Sequence, residues 1–163
     1  MKTPLSHEYL RKVLSYDFDT GVCTWLATVN SQTAVAGSRA GTVRRGYRKI
    51  GLLGKQYQAA RLIWYWVHGS WPVNHIDHIN GDKDDNRIAN LRDVSCSVNL
   101  QNLRGAKSHN RTGLLGVKKH RNKFLARISV QGKEFHIGTF DFPIAAHEAY
   151  LNAKRQLHEG NTL

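Results

Sequence analysis

Two histidines and four acidic residues lie within eleven positions of this sequence, in the stretch HIDHINGDKDD at residues 75–85. A neutral imidazole is well suited to take a proton near neutral pH. A carboxylate, with an amide oxygen, can hold a hard cation such as Mg²⁺. Phosphodiester hydrolysis needs such a base, and it needs a cation to stabilise the charge that develops on the phosphate. Asp77, His78 and a later Asn form this minimum set.

The charge distribution agrees with a cation site between surfaces that bind a polyanion. The chain has 163 residues and a formal net charge of +12, which is typical of proteins with a polyanionic partner such as nucleic acid. Residues 75–103 form an acidic island with three basic and five acidic residues, whereas residues 1–74 and 104–163 each have a net charge of +7. DNA-binding flanks around a metal site would give this pattern, and so would a solvated polar turn.

Several classes of protein are disfavoured by the sequence. No run of 18 apolar residues and no basic amphipathic helix occurs, so we expect no membrane partner. The first fourteen residues lack the apolar segment and cleavage site of a signal peptide. Cys23 and Cys96 are 73 residues apart, which disfavours a disulfide framework or a Cys-ligated zinc site. We therefore expect a cytoplasmic protein with two reduced thiols.

Hydrophobic periodicity predicts the elements that position the acidic island. Helices are predicted at residues 5–14, 61–67, 95–105 and 143–159. Strands are predicted at VCTWL, on both sides of Gly54-Lys55 and at VNHIDHI, and three more strands are predicted between residues 113 and 140. A kink is expected near Asp77, because adjacent strand residues point to opposite faces. Gln131-Gly132 predicts a hairpin turn.

The pattern DHINGD…DNR…NL…N resembles the HNH nuclease motif of the ββα-metal type, in the form found in phage and intron-encoded homing endonucleases. The resemblance implies that His78 is the general base. It also implies that Asp77 and Asn99 hold a divalent cation, Mg²⁺ or Mn²⁺. Asn90 matches the central Asn of the motif, which stabilises the connecting loop.

Two positions in this motif have alternatives. Asn86 competes with Asn90 for the central position, because DNR also recurs in the family, and a DNA contact is a further interpretation of Asn86. His75 is an alternative base, although it has no adjacent acid. The neighbouring acids, Asp82, Asp84 and Asp85, are interpreted as solvated turn residues, and a water-mediated contact with the metal is an alternative for Asp82.

The segment from residue 112 to residue 157 resembles the plant DNA-binding domain of the Apetala-two/ethylene-response-factor type, through Gly116-Val117, Ala126-Arg127-Ile128, Ile137-Gly138-Thr139-Phe140 and Ala149-Tyr150. The resemblance implies a three-stranded sheet in the major groove. Arg121 and Arg127 are favoured for base contacts, and the other basic residues for phosphate contacts. The candidate DNA-binding residues are Lys118, Lys119, Arg121, Lys123, Arg127 and Lys133, with Arg44, Arg45 and Arg87 from the earlier part of the chain.

The sequence therefore predicts an α+β protein, in which a ββα-metal HNH nuclease core is followed by a small three-stranded antiparallel sheet plus a helix. We assign residues 1–72 to an N-terminal α+β region packed on the nuclease core and residues 73–105 to the HNH motif. Residues 106–113 are assigned to a basic linker and residues 114–163 to the Apetala-two-like domain.

The predicted function is hydrolysis of phosphodiester bonds in double-stranded DNA by a metal-dependent homing endonuclease, in the host-cell cytoplasm if the chain is phage-encoded. A monomer would nick DNA, whereas a dimer could cut both strands. The main alternative is a non-catalytic DNA-binding transcriptional regulator. An RNA-binding protein is a weaker alternative, because the predicted sheet lacks exposed stacking aromatics.

Overall fold

The computed structural model describes residues 4–106 and 108–162, and the chain divides into two compact units, Met1–Val94 and Ser95–Leu163. Each unit has its own cluster of buried apolar side chains, as expected where packed elements enclose a core. The predicted basic linker includes Lys107, which lies outside the described residues.

The first unit contains two helices and seven short strands within its described residues. In chain order they are α1 (His7–Val13), β1 (Leu14–Tyr16), β2 (Cys23–Trp25), β3 (Thr42–Arg44), β4 (Tyr47–Leu52), β5 (Lys55–Gln58), α2 (Ala59–His68), β6 (His75–His78) and β7 (Leu91–Val94). A 3₁₀ turn, Ile88–Asn90, precedes β7. The strands form three antiparallel sheets, with the orders β1-β2, β3-β4-β5 and β6-β7.

Local sequence signals explain where several of these elements begin and end. The Ser6 side chain accepts a hydrogen bond from the Tyr9 backbone N–H at 3.1 Å and so caps α1. Gly69 ends α2 in the left-handed conformation, with φ of 71°. Leu53 and Gly54 have φ of 51° and 70°, the positive values that a type I′ hairpin turn requires. The predictions of both helices and of this hairpin are confirmed.

The core of the first unit is centred on α2. Leu62 and Ile63 of this helix are almost fully buried, and Leu91 of β7 belongs to the same apolar cluster. The partly buried side chains of Trp64 and Trp66 pack against the same cluster. Full burial of one such apolar side chain stabilises the fold by about 1.5–3 kcal/mol. The β6–β7 hairpin is therefore attached to a well-packed core.

The second unit contains a short helix followed by a sheet and a longer helix. Its elements are α3 (Cys96–Gln101), β8 (Val117–His120), β9 (Lys123–Val130), β10 (Lys133–Phe140) and α4 (Pro143–Leu157). Ser95 caps α3 by accepting a hydrogen bond from the Val98 N–H at 3.3 Å. α3 ends before the predicted stop at Gly105, because the Asn102 N–H closes a tight final turn onto the carbonyls of Asn99 and Leu100.

The sheet of the second unit is antiparallel with the order β10-β9-β8, and α4 packs on one of its faces. Gly116 is required at this packing contact. Its φ is 76°, and a Cβ there would lie 2.0 Å from the Tyr150 ring. The predicted hairpin turn at Gln131-Gly132 is confirmed, since both residues have positive φ.

The buried face of α4 differs from the predicted one at its C-terminal end. The helical spacing of Ala146, Tyr150, Ala153 and Leu157 predicts that Leu157 continues the apolar stripe of α4. Leu157 is nevertheless 48% exposed, whereas Lys154 is 1% exposed. The Lys154 ammonium donates a hydrogen bond to the Leu103 carbonyl. Burial, reinforced by the nearby positive charge of Arg104, lowers the pKa of Lys154. A lysine stem thus replaces leucine in the packing.

The described residues form a mixed α+β structure with four helices and several small antiparallel sheets, and the predicted three strands plus helix are present in the C-terminal unit. β6, β7 and α3 follow one another in the order strand, strand, helix. Because α3 belongs to the second unit, the ββα-metal core stays a prediction. None of the helices in the described part of the chain has the length and apolar character needed to cross a bilayer.

Candidate active site

The β6–β7 hairpin places Asp77 and His78 at the end of a buried strand. The antiparallel register is regular through all four residues of β6, with Asp77 opposite Arg92. The exposed fractions of Asp77 and His78 are only 6% and 5%. The kink expected near Asp77 is absent from this described hairpin. The strand instead ends at His78, and the Gly81 N–H donates to the His78 carbonyl in a turn where the φ of Gly81 is 78°.

Asp77 forms an ion pair with Arg92 on the neighbouring strand. The Nε and Nη2 atoms of Arg92 both donate to Oδ2 of Asp77, at 2.9 and 2.7 Å. The Asp77 side chain is 8% exposed and that of Arg92 is 25% exposed, so water screens the pair only partly. The carboxylate is held in place by two strong charge-assisted bonds. Any cation at Asp77 would have to share this carboxylate with Arg92.

His78 is oriented by a buried side-chain amide. Its Nε2 lies 3.2 Å from Oδ1 of Asn86, and Nδ2 of Asn86 donates to the Asp84 carbonyl at 3.1 Å. Because Oδ1 can only accept, this contact favours the neutral tautomer that carries its proton on Nε2. Asn86 is 2% exposed. It therefore orients His78, and its burial disfavours the alternative of a DNA contact.

A tyrosine from β1 holds the backbone around Asn86. The Tyr16 hydroxyl donates to the Asn86 carbonyl at 3.1 Å and accepts from the Ile88 N–H at 2.8 Å. Burial raises the pKa of Tyr16 to about 12, so this hydroxyl stays protonated across the physiological range. Tyr16 thus connects the N-terminal part of the unit to the residue that orients His78.

If His78 is the predicted general base, Tyr16→Phe is expected to lower kcat for the predicted DNA cleavage by about 10-fold and to leave KM nearly unchanged, because it loosens the backbone that orients His78 without removing a DNA contact. The unpaired Ile88 N–H should also cost about 1–3 kcal/mol of stability. Single-turnover and steady-state cleavage assays separate the two constants.

The matched control is Tyr65→Phe. It removes the hydroxyl of another buried tyrosine in the same core, which donates to the Leu5 carbonyl at 3.4 Å. The control should leave kcat unchanged after correction for the folded fraction. Equal losses of kcat in both variants would show that Tyr16 acts only through stability.

Asn90 holds the loop that follows β6. Its Oδ1 accepts from the Asn80 N–H at 2.9 Å, and its Nδ2 donates to Oδ1 of Asn80 at 3.0 Å and to the Asp85 carbonyl at 2.8 Å. The Ile79 N–H donates to the Asn90 carbonyl at 2.9 Å. Asn90 is 7% exposed. Its contacts are those of a residue that fixes the loop around His78.

Two acidic residues of the loop, Asp84 and Asp85, form ion pairs instead of being simply solvated, whereas Asp82 is exposed. Asp84 accepts two bonds of 2.9 Å from Arg48, which is on β4. Asp85 pairs with Arg87 at 2.6 Å and accepts from Nδ2 of Asn80 at 2.7 Å. The bonds from Arg87 lower the pKa of Asp85 to about 2. Asp82 caps the Asp84 N–H at 3.0 Å. These contacts keep the loop ordered beside His78.

The side chains at the end of β6 include an oxygen ligand of the kind that a hard cation prefers. Among the described residues, no group of three or more His, Cys, Asp and Glu side chains converges. Mg²⁺ commonly takes one or two protein ligands and completes its shell with water and phosphate. Asp77 offers a carboxylate one residue before His78 in the chain, although adjacent residues of a regular strand point to opposite faces. Asn99, the other predicted ligand, lies on α3 in the second unit.

All nine candidate DNA-binding residues are exposed. Arg44 is on β3 and Arg45 is in the following turn. Arg87 is ion-paired with Asp85. The remaining six lie on the sheet of the second unit and its turns: Lys118, Lys119, Arg121, Lys123, Arg127 and Lys133.

Strand register sorts the residues of the sheet by face. Lys119 is opposite Phe124 and Lys133 is opposite Val130, and both apolar partners pack toward α4. Lys118, Lys123 and Arg127 alternate with these positions and therefore lie on the opposite, open face. Two of them are ion-paired, Lys123 with Asp141 at 3.1 Å and Arg127 with Glu134 at 2.7 Å.

A family model described as HNH endonuclease matches residues 57–104, from the end of β5 through α2, β6, β7 and α3. An HNH endonuclease domain is thereby located in this segment, and its description indicates nuclease activity. The match begins before the predicted motif and includes α2. No curated protein and no solved structure matches the chain.

Three residues of the site escaped sequence reasoning. Arg92 pairs with Asp77, Tyr16 supports the backbone at residues 86–88, and Arg48 binds Asp84. Arg92 could have been found by pairing HIDH with LRDV in one antiparallel hairpin, which places it opposite Asp77. Tyr16 and Arg48 lie in strands that no local pattern connects to the acidic island.

Proposed function

We propose that the chain is a divalent-metal-dependent DNA endonuclease of the homing type, which hydrolyses phosphodiester bonds. The observation that carries the proposal is the orientation of His78, a buried imidazole within the matched HNH segment that is bonded through Nε2 to Asn86. By the sequence resemblance, the chain would be of phage or intron origin and would act in the host-cell cytoplasm.

His78 would supply the general base. The imidazole takes a proton from a water molecule as the water oxygen forms a bond to phosphorus. The phosphorus–oxygen bond in line with the attacking oxygen breaks, and the leaving oxygen takes a proton from solvent. Asn86 keeps the proton of the free imidazole on Nε2 and accepts its hydrogen bond when the ring becomes positively charged.

Asp77 would hold the cation, with Asn99 as the second ligand that the sequence resemblance implies. A bound Mg²⁺ or Mn²⁺ would neutralise charge on the phosphate and on the leaving oxygen. Asn90 has a positioning role in the proposal, because its hydrogen bonds fix the loop between Asn80 and Asp85.

Double-stranded DNA is the proposed substrate, since the strongly basic flanks favour a polyanion. The C-terminal sheet and helix would bind the duplex, in the manner that the Apetala-two resemblance implies. The exposed candidates Arg44 and Arg45 would extend the contact with phosphate from the first unit.

The direct test is incubation of supercoiled plasmid with the full chain and Mg²⁺ or Mn²⁺, with and without EDTA. Metal-dependent conversion to open-circular or linear DNA is expected, and the ratio of these two products distinguishes nicking from double-strand cleavage. DNA that stays supercoiled with every divalent cation, while the protein is folded and binds the plasmid, would contradict the proposal.

The second candidate function is a non-catalytic DNA-binding transcriptional regulator. The Asp77–Arg92 ion pair favours this alternative, because an arginine occupies part of the carboxylate that the nuclease needs for its cation. The ordered Tyr16–Asn86–His78 arrangement favours the nuclease, since a DNA-binding scaffold has no need of an oriented imidazole.

A further inference from the structure

A second candidate site lies beside β8, an edge strand of the C-terminal sheet. A cavity of about 610 Å³ opens between residues 109–112 on one side and β8 with its following turn on the other. Its lining includes five basic side chains: His109, Arg111, Lys118, Lys119 and Arg121. No aspartate or glutamate lines it. The cavity is therefore a concentration of positive charge at one edge of the sheet.

The cations of this cavity differ from Lys123 and Arg127 on the open face of the sheet, and only Lys118 belongs to both surfaces. Lys123 and Arg127 on that face already pair with Asp141 and Glu134. Among the described residues, the arginines and lysines that line the cavity form no ion pair with an acid. An incoming anion would displace no internal partner there. The cavity is accordingly the stronger anion site. Of the two arginines that the sequence favoured for base contacts, Arg121 lines the cavity and Arg127 does not.

One wall of the cavity is fixed by a hydrogen-bonded loop. Nδ2 of Asn110 donates to the Leu114 and Val117 carbonyls at 2.9 and 3.3 Å. The Thr112 hydroxyl lies within hydrogen-bond distance of the Val117 carbonyl, at 3.2 Å, and the Thr112 N–H donates to Oδ1 of Asn110 at 2.9 Å. Arg111 thus lies between Asn110 and Thr112, whose side chains bond to the loop and to β8. Because this wall is already ordered, less conformational entropy is lost there when a ligand binds.

We propose that this cavity binds the phosphodiester backbone of DNA. Lys118 and Lys119 point to opposite faces of β8, so the charges surround an edge instead of covering a face. Positive charge along the edge of the sheet suits contacts with the phosphates of DNA. Contacts with the bases require side chains that match specific patterns of hydrogen-bond donors and acceptors. This inference rests on the proposed function in one respect, because it takes DNA as the polyanion.

The test compares two double variants of the full chain with the same change in formal charge. Arg111→Gln/Arg121→Gln removes two cations of the cavity, and Lys123→Gln/Arg127→Gln removes two ion-paired cations of the open face. Binding to a short duplex of random sequence is measured by fluorescence anisotropy at several salt concentrations. EDTA is present throughout, so that cleavage does not interfere.

The cavity variant is expected to bind about 10-fold more weakly near physiological salt. The slope of log K against log salt concentration should become shallower by about 0.9 for each phosphate that the variant no longer neutralises. The open-face variant should change the slope by less than half as much. Circular dichroism melting verifies that both variants are folded.

Equal slopes for the cavity variant and the unaltered chain would overturn the proposal, and so would a larger effect in the open-face variant. Binding of inorganic phosphate at Arg111, seen by NMR, together with an unchanged slope for DNA, would also overturn it. Absence of plasmid cleavage would refute the nuclease proposal alone, because the binding measurement requires no metal and no catalysis.

Discussion

His78→Ala is expected to reduce metal-dependent DNA cleavage by about 10²- to 10⁴-fold, the range that a positioned general base contributes. The affinity for DNA should change little, because the substitution removes no lysine or arginine that would neutralise a phosphate. Cleavage is measured under single-turnover conditions with protein in excess, and affinity is measured separately in EDTA.

His75→Ala is the matched control for this experiment. His75 begins the same strand but is exposed, and it is the alternative base in the sequence. The control should cleave DNA at close to the unaltered rate. A full loss of activity in His75→Ala, with His78→Ala still active, would reverse the assignment of the base.

The strand-end pair of the site was predictable from local sequence. Asp77 and His78 are neighbours at the end of a strand, as the pattern of apolar and polar residues around them predicts. Asn90 was also placed correctly in the loop, where its amide has three bonding partners. These features depend on residues that lie close together in the chain, so local sequence contains the information.

The orientation of His78 could not be predicted in the same way. It depends on Asn86 and, behind it, on Tyr16, whose hydroxyl bonds to a carbonyl 70 residues away. The sequence indicated Asn86 only as an alternative to Asn90 for the central position of the motif, but the two residues make different contacts in the structure. Asn86 contacts the imidazole and Asn90 the loop. Long-range hydrogen bonds of this kind follow from tertiary packing, which no periodicity encodes.

The C-terminal unit was predicted well at the level of elements and less well at the level of side chains. Turn residues such as Gln131-Gly132 specify their geometry locally, so the hairpin was found. The burial of Lys154 in place of Leu157 was missed, because apolar periodicity assigns a charged residue to solvent. A lysine can be buried when a carbonyl accepts from its ammonium, as Leu103 does here.

Asp77→Asn is expected to raise the concentration of Mg²⁺ or Mn²⁺ needed for half-maximal cleavage by about 10- to 100-fold or more. Loss of a residue that only supports a metal ligand already lowers metal affinity by this factor. The amide keeps the size of the side chain but removes the negative charge that would attract the cation. Metal titrations of the single-turnover rate measure this shift, and thermal melting measures the stability of the variant.

Arg92→Gln is the partner experiment, and its expected effect on the metal requirement has the opposite sign. If Arg92 and the cation share the Asp77 carboxylate, removal of the guanidinium should lower the metal concentration required, even though breaking a buried pair costs up to about 3–5 kcal/mol of stability. If the pair is purely structural, as in a DNA-binding regulator, both variants should lose stability and neither should alter any metal dependence. The signs of the two metal shifts therefore decide between a catalytic carboxylate and a structural one.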